Sequence, residues 1–327
     1  MALLNQDVLV INAGSTSLKL SVVHPSGTKR RVATLDEAAG VGAVGHRVVH
    51  GGERFVEPTR LDDSVVEALR ALTEIAPLHN LPALAAIDSA RAALPDIPHV
   101  AVFDTAFHAT IPAVARTYAL PQRFRDLGIR RFGFHGISVQ SVVERVDVSR
   151  LVVCHLGGGS SVTAVLDGRS VDTTMGFTPL EGVPMGSRSG SVDPGALLHL
   201  LRLGVGTEEL AEALQRESGL VGLAGSADVR ELEDSGAPEA RFALDHFSYR
   251  VAQAVGAMAV SLGGIDALVF TGGIGQGSSL VRDLVCSRLA HLGVGAAESV
   301  RVVALETGEE EVIAAAARSL LELPDEG

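Results

Sequence analysis

VLVINAGSTSLKLSVV, residues Val8 to Val23, has a counterpart in LVVCHLGGGSSVTAVL, residues Leu151 to Leu166. In each copy an apolar run (Val8 to Ile11, Leu151 to Cys154) leads through a polar residue and a spacer into glycine and small polar residues, and a second mostly apolar run follows. The turns read Asn12-Ala13-Gly14-Ser15-Thr16-Ser17 and His155-Leu156-Gly157-Gly158-Gly159-Ser160. Each pattern predicts a β-hairpin whose tight turn offers backbone N–H groups and hydroxyl donors to an anion, because nothing bulky blocks close approach. Taken alone, either copy reads most simply as a hairpin whose glycines serve the turn. Repetition of the whole pattern about half a chain later predicts two related domains facing one nucleotide, since internal repeats report architecture.

The 327 residues suffice for about two domains with real cores. A hydrophobic share of 46%, no tryptophan and many Val, Leu, Ala and Gly residues suit buried parallel strands covered by helices, an α/β class. The net charge of -12 offers no broad basic surface, which argues against nucleic acid as a partner; an anionic ligand has to be met by a few arginines in a cleft. Cys154 and Cys286 lack the spacing of a zinc site or a disulfide scaffold and read as buried thiols. The first residues, with Asn5, Gln6 and Asp7, do not read as a leader, and no apolar run has the length to span a bilayer. The expectation is a cytoplasmic protein with no membrane partner.

Further along, Gly45 to Gly52 (GHRVVHGG) reads as a strand, and Asp62 to Ala76 and Pro82 to Leu94 as amphipathic helices linked between Pro77 and Pro82. His99 to Phe103 is an apolar strand ending at Asp104. Asp172 to Pro194, rich in glycine and proline, reads as a binding loop, and helices are predicted from near Pro194, over Glu208 to Glu217 and over Pro238 to Leu262. The strand Ala267 to Thr271 runs into a third glycine loop, Gly272 to Gly277, at a carboxyl end where open α/β sheets place ligands. A helix follows from Ser278, and Glu310 to Leu323 forms a last one that crosses back to the first domain. The expected domains are residues 1–104 plus 312–327, and 105–311.

Two common phosphate motifs fail. Gly14 to Lys19 lacks the second glycine of a P-loop, and Gly272 to Gly277 does not match GxGxxG. With Gly45 to His50 extended, Arg47 and Val49 share one face, a cation beside a small apolar surface, which suits a short carboxylic acid. A helix there would set His46 and His50 at metal-ligand spacing, but the paired valines and Gly51-Gly52 favour the strand.

Long motifs now resemble the acetate kinase family, of the acetate and sugar kinase, heat-shock and actin superfamily: VINAGSTSLK (Val10 to Lys19), GHRVVHGGE (Gly45 to Glu53), APLHN (Ala76 to Asn80), VFDTAFH (Val102 to His108), GFHG (Gly133 to Gly136), CHLGGGSS (Cys154 to Ser161), MGFTPLEG (Met175 to Gly182), MGSRSGSVDP (Met185 to Pro194) and FTGGIG (Phe270 to Gly275). The resemblance implies two actin-like, ribonuclease H-like domains around a nucleotide cleft. It implies direct in-line transfer of the γ-phosphoryl of ATP to acetate, giving acetyl phosphate and ADP, with Mg²⁺ or Mn²⁺ and in a homodimer. Arg47, Asp104, His135 and Arg188 would be catalytic, and His79 and His155 would orient the transition state. Arg47, Val49, Leu78, Phe134 and Pro179 would bind the acid. Ser15, Ser17, Lys19, Gly157, Gly158, Gly159, Asp228, Arg230, Gly273 and Gly275 would bind ATP or ADP, and Asn12 and Glu309 would serve the metal with Asp104.

The departures fall on the donor side. The family's HLGNG has Gly158 in place of its Asn, GIGEN becomes Gly273-Ile274-Gly275-Gln276-Gly277, and TNEE becomes Thr307-Gly308-Glu309-Glu310. Three alternatives therefore stand beside the acetate reading: another short acid such as propionate, a pyrophosphate donor, and an inactive protein that binds nucleotide or acyl phosphate.

Overall fold

The structure, a computed structural model, describes residues 6–13, 18–74, 77–295 and 300–322, and the side chains of all of these except 74, 77–79 and 322. Strands β1 (Val8–Ala13), β2 (Leu18–Val23), β3 (Lys29–Val32), β4 (Ala43–Val48), β5 (Thr59–Arg60) and β6 (His99–Phe103) form one sheet in the order β3-β2-β1-β4-β6-β5. Strands β7 (Arg150–Leu156), β8 (Ser160–Leu166), β9 (Arg169–Thr173), β10 (Ala267–Thr271) and β11 (Arg301–Ala304) form a second in the order β11-β10-β7-β8-β9. In each, three strands run as an antiparallel meander and two more join in parallel beside the first strand of the hairpin. The duplicated hairpins thus seed two sheets of one ribonuclease H-like topology, the actin-like architecture expected.

The chain separates into two compact units, Met1–Ala109 with Phe134–Glu144 and Gly308–Gly327, and Thr110–Gly133 with Arg145–Thr307. The expected boundaries put 105–109, 134–144 and 308–311 in the second domain; by contacts these segments belong to the first unit.

Alternation along the strands sorts the first unit into layers. Val8, Val10, Val100 and Val102 pack with Val312, Ile313, Ala314 and Ala317 of the C-terminal helix, Glu309–Glu322. Leu9, Ile11 and Val44 turn the other way, toward Ala90 of the helix Pro77–Ala93, and Val48 and Phe103 join Ile87 and Leu69 on that side. In the second unit the helix Pro238–Leu262 covers Val152, Cys154, Leu156, Leu268 and Phe270. It stops at Gly263, whose left-handed φ of 66° lets its amide bond back to Ala259 and Val260.

Local expectations failed at three kinds of place. The chain is helical from Pro77, so Pro82 lies inside a helix where a link was expected, at the loss of one intrahelical hydrogen bond. Gly272–Gly277 is a short helix where a loop was expected. The short strands β3, β5, β9 and β11 and the helix Gly136–Val143 went unpredicted. Among the described residues, no helix is long and apolar enough to cross a membrane.

Gly45 lets the C-terminal helix lie close to β4. A Cβ there would stand 2.6 Å from Cγ2 of the fully buried Ile313. Gly45→Ala is expected to lower stability by about 1–3 kcal/mol, read as a lower urea midpoint at unchanged slope.

Candidate active site

In the first unit, the in-register pair Asn12 on β1 and Arg47 on β4 lies beside Asp104, the residue after β6. Arg47 Nε donates to both carboxylate oxygens of Asp104 at 3.1 Å, and Nη2 donates to Oδ2. Arg47 Nη1 donates to Asn12 Oδ1 at 3.1 Å, and Asn12 Nδ2 donates to Glu309 Oε2 at 3.1 Å. Four sequence-predicted residues therefore form one chain of contacts, from the ends of three adjacent strands to the first turn of the C-terminal helix. Burial disfavours the Arg47 charge, but Asp104 and Glu309 more than offset it and the pKa of the guanidinium is raised. Burial pushes the Asp104 carboxyl up, with Arg47 pulling against it.

The turn after β4 is caged. The Asn80 side chain accepts from the His50 amide and donates to the His50 carbonyl, both at 3.1 Å, and Gly51 N–H donates to Thr105 Oγ1 at 3.1 Å. A Cβ on Gly51 would meet the Phe55 carbonyl and the Phe103 ring, which is why the motif carries glycine here. The cage fixes buried Val49, and the His50 ring meets Phe134 edge-on at 5.5 Å. GHRVVHGG and GFHG are so brought together, with β4 extended and no helical pairing of His46 with His50.

His135 is buried, with a left-handed φ of 63°. Such a conformation in a non-glycine residue stores strain and clusters at functional sites. It is held from both sides: Gly136 N–H donates to the Asp104 carbonyl at 2.8 Å, and His108 Nε2 donates to the Phe134 carbonyl at 2.9 Å. His108 was missed as a site residue although VFDTAFH ends on it, because nothing in the motif says which histidine faces a backbone carbonyl.

In the second unit, parallel pairing of β7 with β10 sets His155 opposite Thr271, so the glycine turn after β7 adjoins the short helix Gly272–Gly277 after β10. A Cβ on Gly157 would stand 3.7 Å from the Gly273 amide nitrogen, and Cβ atoms on Gly158 or Gly273 would meet nothing within 4 Å. The Gly157 amide is shared with Ser160 Oγ at 3.3 Å. Gly275 is buried, and Gly159 completes the β7–β8 turn. Asp228 caps the helix Val229–Ser235 and pairs at 2.9 Å with the exposed guanidinium of Arg230, whose hydrogen bond holds the carboxyl below its usual range.

Arg188 stands apart from every other site cation. Its Nη1 donates to the Pro179 carbonyl at 3.3 Å and meets the Met185 sulfur, and among the described residues no carboxylate pairs with it. Burial alone acts on it, pulling its pKa down. A desolvated guanidinium with only neutral partners is unfavourable until an anion arrives. Pro179 is itself buried. Lys19 is exposed. Ser15 and Ser17 lie outside the described residues, as do the side chains of Leu78 and His79.

Two units of one ribonuclease H-like topology, each with polar residues at its strand ends, define the actin-like class of fold. The chain belongs to the Acetokinase family, whose model matches residues 30–322. An acetate kinase of a Synechococcus strain is 45% identical over 317 residues, covering 88% of this chain and 79% of that protein. The crystal structure of a propionate kinase from Francisella tularensis superposes with a TM-score of 0.90 at 32% identity, over 96% of this chain and 99% of the other. That of Porphyromonas gingivalis acetate kinase gives 0.86 at 32%, over 97% and 100%.

Burial lowers the pKa of His108 from 6.5 to about 4, against the help of its bond to Phe134. The unfolded chain therefore binds the extra proton first, and stability falls as pH drops from 6.5 toward 4, by about 3 kcal/mol for this group. His108→Gln is expected to flatten that part of the stability–pH curve, measured by denaturant titration at each pH.

Proposed function

We propose that this protein is a carboxylate kinase that transfers the γ-phosphoryl of ATP reversibly to acetate, giving acetyl phosphate and ADP. The observation that carries the reading is Arg188, a half-buried guanidinium that donates to the Pro179 carbonyl and has no acidic partner among the described residues. A site of this kind is prepared for a ligand with negative charge. In the forward direction a carboxylate oxygen of acetate attacks the γ-phosphorus and forms the new P–O bond, while the bond to the bridging oxygen breaks and its electron pair leaves on ADP. No proton has to move, so catalysis consists of positioning and charge stabilisation.

In this reading Arg47, held by Asp104, meets the acid's carboxylate, Val49 and Phe134 contact its methyl group, and Pro179 is a further residue read as binding the acid. Arg188 takes the charge that spreads over the equatorial oxygens of the transferring phosphoryl. The strained His135 presents its imidazole to the same oxygens, with His155 and His79 orienting them. The open backbones of Gly157–Gly159 and Gly273 receive the donor's phosphates, and Arg230 stacks on the base. Asn12, Asp104 and Glu309 supply only oxygen ligands toward a cation, the chemistry Mg²⁺ takes. When bound, Mg²⁺ neutralises phosphate charge. The two free cysteines fit a reducing, cytoplasmic setting. Helix Pro238–Leu262 exposes Phe242, Tyr249 and Val260, and a homodimer through it is expected by light scattering.

Hydroxylamine trapping with Mg-ATP and acetate is expected to give acetohydroxamate, with pyrophosphate and propionate as the control donor and acceptor. Loss of product with every pair would return the protein to the class of inactive binders. Arg188→Ala is expected to cut turnover by about 10³ without lowering the unfolding midpoint, since it removes a half-buried charge with no acidic partner among the described residues. Gly158→Asn has room for its side chain and is expected to lower the KM for ATP; an unchanged KM would free Gly158 from any role in donor binding.

A further inference from the structure

The segment Thr173 to Gly182 is held by three side chains to which no role has been given. Arg131 Nη1 donates to the carbonyls of Thr173, Thr174 and Met175 at 2.8, 2.9 and 3.0 Å, and its Nη2 donates to Glu181 Oε1 at 2.8 Å. Glu181 Oε2 accepts the hydroxyl proton of Tyr118, and the Tyr118 oxygen accepts from the Phe177 amide at 2.9 Å. Gly176 lies beneath this bridge: a Cβ there would run into Glu181 Oε2 and the Tyr118 hydroxyl. The clamp grips the start of the segment through Arg131, its middle through Tyr118 and its end through Glu181. Between the last two grips stands Pro179, whose carbonyl takes Arg188.

The segment is also packed through buried Met175 and Pro179 and through the Phe132 and Phe177 rings, 6.1 Å apart. Beside the clamp a groove of about 330 Å³ is lined in part by Arg131, Glu181 and Val183 and by Gln253 and Met258 of the long helix, which leaves the Arg131 and Glu181 side of the segment held by polar ties.

We propose that the Tyr118–Glu181–Arg131 clamp positions Pro179, and through it both sets the depth of the acid pocket and aims Arg188. The three are positioning residues. The inference rests on reading Pro179 as a wall of the acid site. Loosening the clamp releases the segment on both sides of Pro179, which weakens the grip on acetate and makes room for a longer chain. One methylene in an apolar pocket is worth about 10–200-fold in selectivity, so part of that range is within reach of a small shift.

The test uses the full-length enzyme and two variants that keep shape: Tyr118→Phe, which removes the hydroxyl's bonds to Glu181 and to the Phe177 amide, and Glu181→Gln, which removes the charge that Arg131 and Tyr118 meet. Initial rates of hydroxamate formation are measured with acetate, propionate and butyrate. The expected result is a KM for acetate raised by about tenfold, a propionate-to-acetate ratio of kcat/KM raised by about threefold or more, and an unchanged KM for ATP. Arg131→Lys should behave likewise, because an ammonium cannot span three carbonyls and a carboxylate as the planar fork does. A merely structural role lowers kcat for all three acids alike and leaves KM and the ratio in place; that result, or wild-type constants throughout, overturns the proposal. A wild-type protein inactive with every acid would instead remove the kinase reading, and the proposal with it.

Discussion

The buried ion pair of Arg47 with Asp104 is the constraint around which the first unit is arranged. Taking both charges out of water costs several kcal/mol per ion, and their attraction repays it only with good geometry and with every remaining donor satisfied. Both conditions shape the chain. Arg47 sits on a central strand, so that its fork reaches the residue after β6 on one side and Asn12 on the other. Asn12 in turn commits Glu309, and the first turn of the C-terminal helix is drawn to the strand ends. Gly45 without a side chain, two residues before Arg47, lets that helix come down on the sheet.

Arg188 is the contrasting case. Its only hydrogen-bond partners among the described residues are a carbonyl and a thioether, and the structure around it is a loop held by a separate polar clamp. A charge that is matched stabilises a fold, whereas one left unmatched stores readiness for a ligand. The protein keeps the two kinds of arginine in different units.

What was legible in the sequence follows from the same physics. The paired hairpins were readable because a strand–turn–strand with glycine is local and was written twice, and the helix 238–262 because Pro238 and Gly263 mark its ends. Lys29–Val32 and Arg301–Ala304 were not: they are mostly exposed at sheet edges, where no burial imposes alternation. The run from Pro77 hid because Pro82 reads as a break, yet packing of Leu84, Ile87 and Ala90 on the sheet outweighs one missing hydrogen bond. In the site, Arg47, Asp104 and Arg188 were visible as motif residues. That Glu309 turns inward to Asn12 and does not simply cap a solvated helix, or that His135 is left-handed, depends on contacts between distant segments that no spacing encodes.

The duplication shows how one topology yields two chemistries. Asn12 and His155 occupy the same place in the two hairpins, and each is paired in register with a residue of the neighbouring parallel strand, Arg47 in the first unit and Thr271 in the second. The first pair is charged, hydrogen-bonded and closed by Asp104. The second ends in a buried threonine hydroxyl without a hydrogen-bond partner among the described residues; Gly272 after it packs against the Leu156 backbone, while added Cβ atoms on Gly158, Gly273 and Gly277 would meet open space. A charged side-chain row suits a ligand of fixed geometry, whereas exposed main-chain donors suit an anion of varied shape. Of the three departures, Gly158 and Gly277 lie in the second unit at positions where an added Cβ would meet open space, and Gly308 lies in the first, which keeps the Arg47–Asp104 pair.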